Sequence, residues 1–172
     1  MKRFFLLGTL LVCGLSGGCV GYPRLLSFPF DRGGRSLNSP YSDITPRIAD
    51  RYLVFVSDRD GSPDIYLFDP IDRRLLPLPG LNSLDTIASR PSISEDGRYI
   101  VFAASRQGKT GIYLYDRETQ QKRAIADDLQ AEVRNPTLSA DGSTIAFEVA
   151  KNGRWDIVVT DRSGQELVGV DR

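Results

Sequence analysis

The feature that most constrains the fold of this chain is a unit of about 45 residues that occurs three times between residues 44 and 170. Pro46, Pro91 and Pro136 stand 45 residues apart. Two other landmarks repeat at intervals of 47 and then 45 residues, a phenylalanine (Phe55, Phe102, Phe147) and an aspartate (Asp69, Asp116, Asp161). Landmarks that share one period indicate three copies of a single supersecondary unit.

Each copy predicts four short strands. A first strand led by the proline ends at a turn, and Asp96-Gly97 and Asp141-Gly142 provide the glycine that tight hairpin turns require. Apolar runs predict the second strands (52–56, 99–104, 145–149) and the third strands (65–68, 112–115, 157–159), and shorter, more polar runs predict the fourth (75–78, 123–126, 167–170). Inner strands that are apolar on both sides indicate sheets covered on both faces. Four-stranded antiparallel repeats of this length are typical of propeller blades.

The repeat also carries a motif: Pro-x-apolar-Ser-x-Asp-Gly, apolar-x-Phe, Arg-x-Gly and Ile-Tyr-x-x-Asp. The second copy has it at Pro91, Ser94, Asp96, Gly97, Phe102, Arg106, Gly108, Ile112, Tyr113 and Asp116, and the third at Pro136, Ser139, Asp141, Gly142, Phe147, Gly153, Ile157 and Asp161. This motif resembles the repeat of the TolB propeller and of the propeller domains of prolyl oligopeptidase-type and tricorn-type peptidases. The resemblance covers residues 44–170 and implies an all-β fold of TolB-like β-propeller blades. Three blades form an incomplete ring, because known propellers have about 4–8.

Composition argues against an enzyme. The chain has no histidine, which excludes a Ser-His or Cys-His nucleophile pair and a histidine-liganded zinc ion. Cys13 and Cys19 are the only cysteines, so the repeats contain neither a disulfide nor a cysteine metal site. Basic and acidic residues number 22 each, and the absence of a basic excess argues against nucleic-acid binding. The sequence therefore predicts a non-enzymatic protein without a cofactor.

The first 18 residues are predicted to be a signal peptide. Lys2 and Arg3 precede an apolar stretch over residues 4–15, which is too short to cross a bilayer. Small residues then lead to Cys19, and the segment resembles a bacterial lipoprotein signal, which implies that Cys19 carries the lipid. The segment departs from that pattern at Leu15, which stands four residues before the cysteine instead of three.

Two other interpretations of this segment stay open. Ordinary signal cleavage near Gly18 or Gly21 would leave a soluble periplasmic or secreted protein. Retention of the segment, as an anchor or as a buried N-terminal helix, is the other. The lipoprotein interpretation predicts a membrane-anchored protein in the periplasm or at the cell surface.

The remaining chain divides into a tether over residues 19–43 and three blades over residues 44–172. Proline, glycine and serine without a steady period are typical of a linker. Apolar residues within it, Leu25, Leu26, Phe28 and Phe30, indicate that part of the tether lies against the blades.

A hairpin of the first copy holds the one candidate metal site. Asp58, Asp60 and Asp64 occupy positions 1, 3 and 7 of a spacing like that of a calcium loop. Gly61 stands at the fourth position instead of the sixth, and the corresponding hairpins lack the carboxylates, so a polar hairpin is the favoured interpretation. The repeated aspartates at the ends of the third strands are expected to accept hydrogen bonds from turn amides. Trp155 is expected to pack between blades, with a binding anchor as the alternative.

Function is expected from the resemblance alone. TolB works with the Tol–Pal system of the cell envelope, whose partners include the peptidoglycan-associated lipoprotein. The resemblance thus implies a module that binds envelope proteins, although residues 20–43 are too few to form the N-terminal domain that accompanies the TolB propeller. The alternatives are a relative of a peptidase propeller without its catalytic domain and a scaffold lipoprotein.

The open arc sets one further expectation. The first and third blades would each expose an apolar face, which monomeric proteins seldom do over a large area. Two copies could pair into a six-bladed ring, the segment 25–30 could fold back over one face, or a partner propeller could dock.

Overall fold

The computed structural model describes residues 29–126 and 129–168, which form twelve strands and no helix. The strands are β1 (Asp43–Ala49), β2 (Tyr52–Ser57), β3 (Asp64–Asp69), β4 (Arg74–Leu76), β5 (Ile87–Ile93), β6 (Tyr99–Arg106), β7 (Lys109–Asp116), β8 (Gln121–Ala126), β9 (Val133–Leu138), β10 (Thr144–Lys151), β11 (Arg154–Asp161) and β12 (Glu166–Val168). No helix in this part of the chain is long and apolar enough to cross a membrane. The predicted signal peptide and Cys19 lie outside the described residues.

The strands form three separate four-stranded sheets, one for each copy of the repeat. Within a sheet every strand pairs antiparallel with its neighbours in chain order. The four strands predicted for each copy are therefore confirmed, as is an arc of three sheets that does not close. The fourth strand of the third copy was predicted over 167–170 and begins one residue earlier, at Glu166.

The repeated prolines do not begin the first strands, and in this respect the sequence interpretation was wrong. Pro46, Pro91 and Pro136 lie three or four residues inside β1, β5 and β9. The residue before each proline has a positive φ of 50°, 49° and 53°, at Thr45, Arg90 and Asn135 respectively, and the pairing register shifts at the same place. Proline has no N–H to give to a ladder, so a strand tolerates it where the ladder is already interrupted by a bulge.

Hydrophobic cores fill the two spaces between the sheets. Val54 and Val56 of the first sheet pack against Ile100 and Phe102 of the second, and Val101 on the opposite side of β6 packs into the core shared with the third sheet. The middle sheet is therefore buried on both faces, as its unbroken apolar runs predict. Burial in β10 alternates instead, so the third sheet is covered mainly on one face.

Candidate functional site

The three carboxylates of the candidate calcium loop have separate hydrogen-bond partners. Asp58 Oδ1 accepts a hydrogen bond from the backbone amide of Ser42 at 2.9 Å, and Asp60 Oδ2 accepts one from the Tyr66 hydroxyl at 2.6 Å. Asp64 Oδ2 accepts a hydrogen bond from the Ser62 hydroxyl at 3.1 Å. Within residues 29–126 and 129–168, no three His, Cys, Asp or Glu side chains are grouped so that they could hold a metal ion. A calcium site at this hairpin stays a prediction.

Asp64 has the most unusual environment of the three. Its side chain is buried, and Oδ1 has no hydrogen-bond partner in the described structure. Burial raises the pKa of Asp64 above its usual range, because removal from water penalises the charged form. A raised pKa favours the neutral acid, which is a weaker ligand for a cation than the carboxylate.

The aspartates that end the third strands organise the following turns, as predicted. Asp69, Asp116 and Asp161 each accept hydrogen bonds from backbone amides two to four residues further on. In the first two sheets the same carboxylate also binds an arginine, Arg51 Nε to Asp69 at 2.7 Å and Arg98 to Asp116 through two bonds of 3.0 and 2.8 Å. These arginines lower the pKa of Asp69 and of Asp116. The charges of Asp69 and Asp116 are therefore paired with arginines of their own sheets.

The Ser-x-Asp-Gly part of the motif builds the turn between the first and second strands. The Ser139 hydroxyl donates to Asp141 Oδ1 at 2.6 Å, and Ser143 donates to the same oxygen through its amide and its hydroxyl. These hydrogen bonds lower the pKa of Asp141 to about 2. The corresponding bond from Ser94 to Asp96 is also 2.6 Å long. Both motif carboxylates therefore have a structural role.

Adjacent sheets are joined by a contact that we call the inter-blade clasp, formed by a tyrosine of one sheet with a glycine and an arginine of the next. Gly97 lies so close to Tyr52 that a Cβ atom on the glycine would be 2.2 Å from the ring. The Arg117 guanidinium lies 5.1 Å from the centre of the same ring and donates to the Gly97 carbonyl at 2.5 Å. A cation above an aromatic face is attractive. The clasp thus fixes the second sheet on the first.

The second clasp repeats this arrangement between the second and third sheets. Tyr99 contacts Gly142, where a Cβ atom would be 2.6 Å from the ring, and Arg162 lies 4.6 Å from the ring centre. The third sheet has Thr144 at the position of the tyrosine, and the first sheet has Pro70 at the position of the arginine. The outward sides of the end sheets therefore lack the side chains that make a clasp.

The outward face of the first sheet is covered by a group that we call the Arg59 cap. The Arg59 guanidinium lies 5.2 Å from the centre of the Phe55 ring and 4.8 Å from that of Tyr66. It donates to Asp43 Oδ1 at 2.6 Å and to the carbonyl of Gly34 at 2.7 Å, and its side chain is 5% exposed. Phe55 itself is buried although it faces away from the other sheets. Part of the predicted tether therefore lies against the first blade.

The segment 25–30 was one expected cover for an end face. Leu25, Leu26 and Phe28 lie outside the described residues. Phe30 is 60% exposed and so does not serve as a cover. The described contacts to the first sheet come from later residues, because Gly34 and Ser42 make the hydrogen bonds to the hairpin of that sheet.

The outward face of the third sheet, which we call the third-sheet face, is open. Its central residues are Ala146, Glu148 and Ala150 of β10 with Val159, Ile157 and Trp155 of β11, in register. Ile157 is 57% exposed and Trp155 is 37% exposed. Four of the six residues one repeat earlier, Val101, Ala103, Ile112 and Leu114, are buried by the next sheet. The expectation that Trp155 packs between blades was wrong, because no sheet among the described residues covers this face.

A charged network lies across the third-sheet face. The Arg134 guanidinium stacks on the Trp155 ring, 3.5 Å from its centre, and Arg134 Nε donates to Glu148 Oε2 at 2.6 Å. The side-chain amide of Asn135 donates to Glu148 Oε1 at 2.8 Å. Hydrogen bonds from Asn135 and Arg134 lower the pKa of Glu148. Glu148 stands where the second sheet has Ala103, so a charge occupies the middle of this face.

Solved structures with the same arrangement of sheets include TolB from Acinetobacter baumannii, with 25% sequence identity and a TM-score of 0.59. The three sheets are TolB-like propeller blades. The match covers 76% of this chain and 32% of that TolB chain, and a putative TolB from Agrobacterium tumefaciens matches with 19% identity and a TM-score of 0.59 over 77% of this chain and 49% of its own. This chain thus spans about a third of the length of the first of these relatives and about half of the length of the second.

Propellers attached to peptidases share the fold. The β-propeller domain of the Trilobed protease from Pyrococcus furiosus matches with 17% identity and a TM-score of 0.54 over 74% of this chain and 42% of that chain. No protein-family model and no curated protein sequence matches this chain. The likeness is therefore one of fold. The fold alone does not distinguish a relative of the TolB propellers from a relative of the peptidase propellers.

Sequence analysis missed the arginines that hold the TolB-like blades together and close their end. Arg117 and Arg162 each follow a repeated aspartate directly, so comparison of the copies could have found them. Arg59 is the arginine of the Arg-x-Gly part of the repeat, with Arg106 and Lys151 at the corresponding positions, whereas Arg134 has Ser89 and Ile44 there. Only the structure shows what Arg59 and Arg134 contact. Arginine is suited to these positions because its planar guanidinium can stack on a ring and donate hydrogen bonds at the same time.

Proposed function

We propose that this chain is a non-enzymatic protein-binding module of the cell envelope, held at a membrane by a lipid on Cys19. The observation that supports a binding role is that the polar residues of the repeat motif are used to build the blades. Asp96, Asp116, Asp141 and Asp161 all accept hydrogen bonds within their own sheet. Recognition is then left to loops and to uncovered faces, which is where propellers and other scaffolds carry function.

The proposed partners are envelope proteins of the Tol–Pal type, and the proposed location is the periplasm. The likeness to two TolB structures supports both, together with the predicted signal peptide. Pairing of two copies is part of the same proposal.

The anchor is tested by changing Cys19→Ser in the full chain expressed in a Gram-negative host. We expect the wild-type protein to fractionate with membranes and to incorporate a labelled fatty acid, and the variant to do neither. Cys13→Ser is the matched control, because it removes the other cysteine without touching the proposed acylation site. Wild-type protein that is exported and found soluble would contradict the lipid anchor while leaving the binding role open.

The partner is tested by cross-linking the tagged chain in intact cells and identifying what is captured. The expected result is enrichment of the peptidoglycan-associated lipoprotein or of another Tol component over an unrelated lipoprotein that carries the same tag. Equal recovery with both baits would contradict the proposed partners.

A second candidate function is that of a propeller that serves a peptidase, and the Pyrococcus furiosus propeller domain favours it. This chain has no histidine, so the catalytic group would have to come from another protein. Co-purification of a serine peptidase in place of Tol components would support this function. A lipoprotein scaffold, the third alternative, would capture neither.

A further inference from the structure

The two ends of the arc differ in what covers them. At the first sheet, Arg59 and the segment around Gly34 lie over Phe55 and bury it. At the third-sheet face, Trp155 and Ile157 remain exposed. Of the two end faces that the described residues form, the third-sheet face is thus the one that leaves large apolar side chains exposed.

This asymmetry argues against a ring made by head-to-tail pairing. In such a ring the third sheet of one copy would pack on the first sheet of the other, where the Arg59 cap already lies. The clasp residues are also missing, since Thr144 replaces the tyrosine and Pro70 replaces the arginine. If two copies pair, the contact is therefore a different one.

The third-sheet face has charges of both signs, and these are bonded to each other within one copy. It carries one positive and one negative group, Arg134 and Glu148, beside the exposed Trp155 and Ile157. A two-fold axis brings the same patch of both copies together, so each group must meet its complement on the partner. Rotation about an axis through the middle of the face can place Arg134 of each copy against Glu148 of the other. Aromatic and arginine side chains are also the types that dominate binding energy at interfaces.

The area of the third-sheet face determines how strong a contact between two copies is expected to be. Four strands about 4.8 Å apart, with central strands of 8 residues at about 3.3 Å each, give an area of about 19 by 26 Å, or about 500 Å². Stable complexes bury about 800 Å² on each partner. The contact is therefore at the weak end for a specific dimer. Attachment of both copies to one membrane, which rests on the lipid anchor of the proposed function, would favour it by raising their local concentration.

We propose that two copies of this chain pair through their third-sheet faces, about a two-fold axis, with Arg134 and Glu148 exchanged between the copies. The pairing covers Trp155 and Ile157 and leaves the Arg59 cap of each copy in place.

The test is capture of one copy by another. Full-length chains with two different tags are expressed in the same cell, the envelope is solubilised in mild detergent, and one tag is used to recover the other. Glu148→Arg makes both charges of the face positive, and Arg134→Glu makes both negative. For each variant, we expect recovery of one tagged copy by the other tagged copy of the same variant to fall at least about tenfold, because like charges then meet across the axis. The two variants mixed should capture each other at least as well as the wild type does.

The mixed pair distinguishes an intermolecular contact from damage to the fold, since an unfolded variant would not be restored by the other. Arg74→Glu, at a largely exposed position on β4, is the matched charge control and should leave capture unchanged. Ile157→Ser removes an exposed apolar side chain without a charge change and should also reduce capture, whereas Ile71→Ser, exposed to 72% in the turn between β3 and β4, should not. Absence of wild-type capture, or capture that is insensitive to all changes on the third-sheet face, would overturn the proposal.

Discussion

Replacement of Gly97 by alanine tests the inter-blade clasp most directly. Gly97 has a φ of +70°, and its missing Cβ would lie 2.2 Å from the Tyr52 ring. Two costs therefore add. An L-residue in the left-handed region costs about 1–2 kcal/mol, and an extra carbon in a packed contact costs about 1–3 kcal/mol. Alanine also stiffens the unfolded chain, which offsets about 0.4–1 kcal/mol of this loss, so we expect Gly97→Ala to lower the free energy of unfolding by about 1–4 kcal/mol.

Gly108→Ala is the matched control because it separates the two costs. Gly108 also has a positive φ, +81°, but nothing lies within 4 Å of the position that its Cβ would take. Only the backbone cost applies there, and the stiffer unfolded chain offsets about 0.4–1 kcal/mol of it. Gly108→Ala should therefore lower the stability by about 1 kcal/mol or less.

Urea unfolding followed by fluorescence and by circular dichroism would measure both variants, with the slope of the transition as a check on two-state behaviour. The pair Tyr52→Ala and Gly97→Ala should be less destabilised than the sum of the two single changes, because the smaller side chain removes the clash. Equal losses for Gly97→Ala and Gly108→Ala would refute the clasp, since the steric part of the argument would then be absent.

Three further predictions concern other parts of the blades. Phe102 is buried between the first and second sheets, as its position in the second strand predicts, so Phe102→Ala should lower the free energy of unfolding by about 3–5 kcal/mol in the same urea assay. Hydrogen bonds lower the pKa of Asp141 to about 2 from its ordinary value of 3.8, so this carboxylate contributes stability above about pH 4 that is lost as the pH falls towards 2. Asp141→Asn should therefore be less stable than the wild type at pH 6 and approach it near pH 2, and a constant difference over that range would contradict the assignment. Addition of millimolar Ca²⁺ should change the Tm by less than about 1 °C, because the carboxylates of the Asp58 hairpin do not converge; a rise of several degrees that Asp60→Asn abolishes would establish the calcium site.

The repeat period was sufficient to predict the fold because every copy must form the same unit. A strand that is unclear in one copy can therefore be assigned from the same positions of the other two. Strand positions followed from apolar runs, and turns followed from Asp-Gly pairs. The positions of the prolines were predicted wrongly because a proline is commonly found at the start of a strand. Here each proline lies at a bulge inside the strand, and the bulge is determined by the pairing with the next strand.

The faces at the ends of the arc could not be predicted in the same way. Arg59 closes one end through contacts with Gly34 and Asp43, which are 25 and 16 residues away, and no local pattern encodes such contacts. Trp155 is expected between blades from its place at the start of a strand. Its actual position depends on which sheet ends the arc.

The bulge at each repeated proline also bears on how the concave side of the arc meets other proteins. β1, β5 and β9 are edge strands of their sheets and lie next to one another, β1 beside β5 and β5 beside β9, on the inner side of the arc. An edge strand normally offers a row of free amides and carbonyls to another chain. In all three, the row is broken at the same level by a residue that has no N–H and by a neighbour with a positive φ. A peptide laid along this side could not continue the ladder past that level, so sheet growth from one molecule into the next is blocked there. A ligand of the concave side would have to be recognised through side chains, and its sequence would matter more than its ability to form a strand.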